Sequence, residues 1–363
     1  MSPAAPGRLA RLPAAAQWSL LLILSALVAA LLEGGGLPAA MLLGPMLAGI
    51  LFGVNGASVQ VPKLPYLAAQ GVIGCLIAAA ISGEILGTFA ARWPLILSVV
   101  LLVVAASSLL GWVLSRRQIL PGTTAVWGSS PGAASAMMLM ADAYGADARL
   151  VAFMQYLRVV FVAVSASLVA RLWVDVADAP LPAIVWFPPI DPLPFGQTLL
   201  LAVGGALLGQ KLRIPAGALL LPMLAGAALH LAGLMEFQLP EWLLAGSYAL
   251  LGWWIGLGFR RPILLHAARA LPQVTLSILT LMAFAGVLAF ALTELAGIDP
   301  LTAYLATSPG GLDAMAVIAA SSDVDLPFVM ALQTVRFVFV LLTGPVLAKF
   351  IADRLQPATP DLR

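Results

Sequence analysis

The chain has 363 residues, of which 62% are hydrophobic and only 9% charged, with a formal net charge of +2; a soluble domain is about one quarter charged. Its mean hydropathy of +1.03 excludes a soluble fold of this size, which has no interior large enough for so much apolar surface. The single Cys75 excludes an intramolecular disulfide, two histidines (His230 and His266) give no histidine-rich metal centre, and the lack of a basic block gives no sign of direct nucleic-acid binding.

Nearly continuous apolar runs, separated by short Gly/Pro or charged breaks, match the ~20 residues that a helix needs to cross a bilayer. The alternating ~10-residue segments of a membrane barrel are not found, and lipid leaves helices as the other way to satisfy the backbone. The expected class is an all-α integral membrane protein. Residues 1–17 form a short tail carrying Arg8 and Arg11. The run from Trp18 to Leu32 reads as a secretory signal or as a retained first span. The retained span is favoured, because Phe195 to Gln210 holds the equivalent place further on, where no cleavage signal could act.

Segments follow at 37–53, 65–82, 89–114, 122–142 and 147–173. Residues 175–194, with Pro180, Pro182, Pro188, Pro189, Pro192 and Pro194, read as a linker, since proline lacks the amide that a helix interior requires. The same series then recurs over 195–351, before a tail at 352–363. Pro45-Met46-Leu47-Ala48-Gly49 returns as Pro222-Met223-Leu224-Ala225-Gly226, at a spacing of 177. At a spacing of 178, Gly74 falls on Gly252, Ser130-Pro131-Gly132 on Ser308-Pro309-Gly310, Gln155 on Gln333 and Arg158 on Arg336. Such a register makes 18–174 and 195–351 two copies of one membrane repeat.

Loop charge distinguishes parallel from inverted copies, since Lys and Arg prefer the cytoplasmic side. If all six segments of each copy cross, the sixteen loop cations divide nine to seven. If the fifth segment enters and returns, the second copy is inverted and the division is fourteen to two, with only Arg92 and Arg171 outside. The inverted arrangement is therefore expected: about five transmembrane helices per copy plus a broken or re-entrant helix, 10 to 12 membrane segments in all, and both termini cytoplasmic.

The fifth segment of each copy holds the candidate site. Ser-Pro-Gly interrupts an apolar helix and frees polar backbone groups inside the membrane. Residues Ala133 to Met140 and Leu312 to Ala320 read as helix restarts, whose first amides could receive an anion. Against this stands an ordinary proline kink satisfied by neighbouring helices. Arg158 and Arg336 lie about ten residues inside the sixth segment of each copy, where a charge costs ~2.5 kcal/mol or more. They read either as struts bonded to carbonyls bared by the break, or as holders of an anionic group. Gln155 and Gln333 precede them by three residues, on the same helix face. Asp313 stands where the first copy has Ser135, and would neutralise an arginine or titrate to couple transport to a proton or sodium ion. The expected solute-binding residues are thus Ser130, Pro131, Gly132, Gln155, Arg158, Ser308, Pro309, Gly310, Gly311, Asp313, Gln333 and Arg336, with no catalytic residue, metal ligand or cofactor.

With its paired Pro-Met-Leu-Ala-Gly segments and its paired Ser-Pro-Gly segments followed by Gln-x-x-Arg, nearly the whole chain resembles the AbrB-like membrane proteins, also catalogued as ammonia monooxygenases. The resemblance implies a duplicated membrane region and a multi-pass bacterial inner-membrane location. It also carries two functional names, regulation of gene expression and monooxygenase. The chain shows no soluble DNA-binding domain, and His230 and His266 stand outside any metal-binding spacing. Three functions are weighed. A secondary transporter or exporter of a small anionic solute, working by alternating access around the paired breaks, comes first. A membrane-embedded sensor that regulates gene expression through a partner comes second, because the same pocket could bind without releasing. An enzyme comes last. The bilayer and the solute are the expected partners, and a homo-oligomer stays open.

Overall fold

A computed structural model describes residues 8–34, 40–131, 134–173, 185–214, 216–310 and 324–355. Every regular element among them is a helix. After a 3₁₀ turn at Arg8–Arg11 come α1 (Ala14–Gly34), α2 (Ala40–Val54), α3 (Lys63–Ala79), α4 (Gly83–Arg116), α5 (Thr124–Ser129), α6 (Ala134–Ala143) and α7 (Ala148–Trp173). The series continues with α8 (Pro192–Lys211), α9 (Gly217–Leu231), α10 (Glu241–Leu257), α11 (Arg261–Ala296), α12 (Pro300–Thr307) and α13 (Leu326–Leu355). Five of these, α1, α4, α8, α11 and α13, are long and apolar enough to cross a membrane. Apolar α2, α3 and α9 have 15, 17 and 15 residues, below the ~20 of a perpendicular span. The protein is all-helical and of membrane type.

Several helices start earlier than the sequence reading, α1 at Ala14 rather than Trp18 and α4 at Gly83 rather than 89. Helix α8 starts at Pro192 rather than Phe195, so Pro192 and Pro194 fall in its first turn. There the missing proline amides cost nothing, because no first-turn amide has a helical partner.

The chain divides into two compact units, one of Met1–Gly83 with Pro180–His266, the other of Glu84–Ala179 with Ala267–Arg363. The first unit is held by glycines where backbones touch. A Cβ on Gly252 of α10 would lie 2.8 Å from the Leu42 carbonyl and 2.9 Å from the Met46 amide of α2. A Cβ on Gly74 of α3 would lie 2.5 Å from the Leu219 carbonyl of α9. Small residues allow this approach where lipid supplies no hydrophobic drive between helices.

These contacts also fix helix direction within the unit. Leu42 and Met46 meet Gly252, and Gly49 meets Gly256, so α2 and α10 run parallel. Gly74 meets Leu219 and Ala78 meets Gly226, so α3 and α9 run parallel as well. Along α3 and α8 the order is reversed: Leu67 packs with Ala206, Gly71 lies on the Ala202 carbonyl, and the Cys75 thiol is 3.9 Å from the Thr198 carbonyl oxygen. That pair is antiparallel.

In the second unit α5 and α6 pack on α7, α12 packs on α13, and the two sets touch through α12 with α7 and α13 with α5 and α6. The Tyr304 hydroxyl of α12 is 2.7 Å from the Ser165 hydroxyl of α7. Long α4 carries a non-helical residue, Arg92 (φ −127°, ψ 27°), two positions before Pro94, the placement at which a proline disturbs a helix.

Candidate functional site: two arginines on broken helices

Helices α5 and α12 both stop at a serine in extended conformation, Ser130 (φ −65°, ψ 122°) and Ser308 (φ −51°, ψ 132°). The cause is local. A following proline ring clashes with a helical predecessor and pushes it into the extended region, and Pro131 and Pro309 come next. The last carbonyls of each short helix then have no amide ahead of them.

Side chains from the neighbouring long helix take those carbonyls. From α7, Gln155 Nε2 donates to the carbonyls of Trp127 (2.9 Å) and Ser130 (3.0 Å). Arg158 NH1 donates to Ser130 (3.0 Å) and more distantly to Ser129 (3.5 Å), and its NH2 donates to Gln155 Oε1 at 2.6 Å. From α13, Gln333 Nε2 donates to the carbonyls of Leu305 (2.8 Å) and Ser308 (3.2 Å). Arg336 NH1 donates to Ser308 (2.9 Å) and Thr307 (3.3 Å), while NH2 donates to Gln333 Oε1 and to the Gly310 carbonyl (3.4 Å). All five bonds of the first cluster have a counterpart in the second at a spacing of 178 residues, and the Gly310 bond is an addition of the second. The glutamine is an adapter: its amide nitrogen serves the break, and its oxygen orients the guanidinium.

Both arginines are 1% exposed. Each cation sits at a helix C-terminal end, where the backbone dipole is negative. Carbonyl dipoles do not cancel a full charge, and among the described residues no carboxylate forms an ion pair with either. Among the described residues, no partner is found for the buried Nε hydrogens of both arginines, the hydroxyls of Ser129, Ser308 and Thr334 or the indole nitrogen of Trp127. Donors and positive charge are therefore in surplus at both breaks.

The structure thus brings Ser130, Pro131, Gln155 and Arg158 together at one break, and Ser308, Pro309, Gly310, Gln333 and Arg336 at the other. Gly132, Gly311 and Asp313, with the second expected restart, lie outside the described residues. The first restart is α6, opening at Ala134. A cavity of about 330 Å³ beside Ala289, Phe290 and Tyr304 is lined by none of the expected site residues.

A family model described as transition state regulatory protein AbrB matches residues 41–352. The chain belongs to that family. It is 52% identical over 337 residues to the Escherichia coli (strain K12) protein titled "Putative regulator AbrB", covering 93% of this chain and 97% of the relative. It is 27% identical over 290 residues, 76% of each chain, to the Bacillus subtilis (strain 168) protein titled "Uncharacterized protein YhjN". No solved structure matches.

Within this AbrB-family chain the structure adds residues that the motifs did not indicate. The Asp147 and Asp325 amides donate to the hydroxyls of Thr124 and Thr302, each at 3.2 Å, tying the start of each arginine-bearing helix to the start of the broken one. Both pairs obey the 178 spacing, so extending the register would have found them. Trp127 has no such signal, since Leu305 stands at the matching place. Its indole is buried, stacks with Tyr144 at 5.8 Å between ring centres, and covers Gly344, whose Cβ would lie 3.0 Å from the ring.

Proposed function

We propose that the protein is a secondary transporter or exporter of a small anionic solute in the bacterial inner membrane, working by alternating access around its two broken segments. The observation that carries this reading is the pair of buried guanidiniums seated on the carbonyl ends of two interrupted helices without a described counter-charge. A mid-membrane cation with unspent donors is a device for holding negative charge, and paired interrupted helices are where transporters hold solutes. Ser130, Pro131, Gly132, Gln155, Arg158, Ser308, Pro309, Gly310, Gly311, Asp313, Gln333 and Arg336 form the solute site in this proposal. The carbonyl bonds make each arginine a strut as well, and the surplus charge is what a strut has no use for.

Helix directions in the first unit support inverted copies with 10 to 12 membrane segments. Parallel copies would make α3 run with α8 and against α9, and α2 against α10, the reverse of the contacts at Gly71, Gly74 and Gly252. The Arg260 guanidinium donates to the Gly53 carbonyl at 2.9 Å, which supports placing the α10–α11 turn on the same, cytoplasmic side as the end of α2, with both termini there too.

The test is flux of small carboxylates and inorganic anions into sealed vesicles containing the purified protein. Wild type accumulates its solute, whereas Arg158→Lys and Arg336→Lys, which keep the charge but lose the planar fork, fold normally and lose affinity by about tenfold or more. Lys variants that move solute as well as wild type, or a wild type that no anion stabilises, would overturn the reading. The second reading, a ligand-sensing regulator acting through a partner, is favoured by the regulator titles of the family and of the E. coli relative. Anion-dependent stabilisation without flux would select it.

A further inference from the structure

The charges of the first unit are sorted by end. Lys63 opens α3, and the antiparallel packing of α3 on α8 puts Lys211 and Arg213, at the close of α8, beside it. Arg260 is tied to the end of α2 through the Gly53 carbonyl, and Arg261 follows it. Arg11 precedes α1, whose Gln17 exchanges two hydrogen bonds, each 3.0 Å, with Ser58 in the loop leading to Lys63. All six cations are exposed and sit at one end. The acids stand at the other: Glu33 closes α1, Glu241 opens α10, Glu236 lies in the turn before it, and Asp191 is bonded through its amide to Gln238 of that turn. Among the described residues of this unit, no acid shares the basic end.

The surroundings of the cations identify what they meet. Leu12 follows Arg11, Leu64 follows Lys63, Leu212 and Ile214 flank Arg213, and Leu264 and Leu265 lie one turn beyond Arg261, all of them exposed. Exposed apolar side chains thus flank these cations at the helix ends, the setting in which a basic stem lies along hydrocarbon and its head at the hydrocarbon's edge. A soluble polyanion would meet charges set out on a polar face, whereas a lipid phosphate lies at this depth. We propose that the basic end of the first unit is a binding surface for the headgroups of anionic phospholipids. Juxtamembrane cations of this kind draw anionic lipid to within a Debye length. The proposal rests on the membrane reading and not on transport, so flux can fail while it stands.

The experiment is thermal unfolding of the full chain in nanodiscs of phosphatidylcholine with and without phosphatidylglycerol. Wild type gains several degrees in Tm on adding phosphatidylglycerol, and the gain shrinks with salt. The Lys63→Gln/Lys211→Gln/Arg213→Gln/Arg261→Gln variant, which leaves the Arg260 bond to Gly53 in place, keeps the wild-type Tm in phosphatidylcholine and loses the gain. Glu236→Gln/Glu241→Gln, at the opposite end, keeps it. Equal Tm in both lipids for wild type, or a full gain in the fourfold variant, overturns the proposal. So does an equal gain when inorganic polyphosphate is added in detergent without lipid, which would make the end a site for soluble polyanions. If the fourfold variant fails to fold, native mass spectrometry of wild type with a phosphatidylglycerol and phosphatidylcholine mixture decides, retention without preference for phosphatidylglycerol being the overturning result.

Discussion

In the first unit Pro45 and Pro222 lie inside helices that continue past them, whereas in the second Pro131 and Pro309 are where helices stop. Residue type is the same and the outcome opposite, so the neighbours decide. Around Pro45 and Pro222 stand Gly252 and Gly74, with backbone against backbone and no buried charge. Around Pro131 and Pro309 stand Gln155, Arg158, Gln333 and Arg336, which take the bared carbonyls. A proline in a membrane helix is tolerated either by close packing or by polar capture of what it exposes. Only the second solution leaves charge behind, and the proposed solute site rests on that charge.

Substitution at the glycine contacts should do the most damage. Gly252→Val puts branched atoms where even a Cβ meets the Leu42 carbonyl and the Met46 amide, both backbone and unable to step aside. The expected cost is about 3 kcal/mol or more, at the upper end for overpacking, read as loss of folded protein in detergent. Gly204→Val on α8, whose Cβ would meet nothing within 4 Å, is the control and should leave Tm nearly unchanged. Equal behaviour of the two would remove close packing as the first unit's principle.

Next in size comes the adapter. Gln155→Leu takes the side-chain donor from the Trp127 carbonyl and the acceptor from Arg158 NH2, and Gln333→Leu takes the donor from the Leu305 carbonyl, while the arginines keep the Ser130 and Ser308 carbonyls, at about 1–3 kcal/mol. Gln155→Glu should behave differently, since a carboxylate offers Arg158 a counter-charge while losing the donor to Trp127 and Ser130. Wild-type anion binding in that variant would show that the uncompensated charge is irrelevant.

Both the repeat register and the broken segments were legible in sequence because each depends on residue type at fixed spacing: Gly74 with Gly252, Ser130-Pro131 with Ser308-Pro309, Gln-x-x-Arg with its match. Partner choice was harder to read. Carbonyls bared by the break were one of two readings for the arginines; that they are the C-terminal carbonyls of α5 and α12 follows only from the fold, which brings α7 onto α5 and α13 onto α12. Nor could the sequence say that the cut between compact units would run through both expected copies, since that depends on which helices meet.

A smaller effect is expected at Trp127. Its ring fills space against Gly344 and Tyr144, but the indole nitrogen is buried with no partner among the described residues. Trp127→Phe keeps most of the packing and removes an unsatisfied donor, so the two contributions oppose and Tm should change little, by about 1 kcal/mol or less. If the nitrogen instead touches the solute, stability stays while anion-dependent stabilisation falls, a separation that Leu305 in the matching break does not permit.

The smallest effect belongs to the charges that do pair. Arg92, at the kink of α4, reaches Asp325 at 3.6 Å and lies over the Phe328 ring at 5.5 Å, with about half of each charged side chain in the open. An exposed ion pair of this length contributes about 0–1 kcal/mol and is screened by salt. Asp325 does more than pair: its carboxylate accepts from the Phe328 amide at 3.0 Å and caps the start of α13, a bond whose loss costs about 0.5–2 kcal/mol. Arg92→Gln should therefore lower Tm less than Asp325→Ala, and the Arg92→Gln deficit should vanish in high salt while the Asp325→Ala deficit persists. If the two variants lose the same stability and respond alike to salt, the cross-helix pair rather than the cap holds the start of the helix that carries Gln333 and Arg336. The contrast between exposed charges that pair and buried charges that do not would then have to be redrawn.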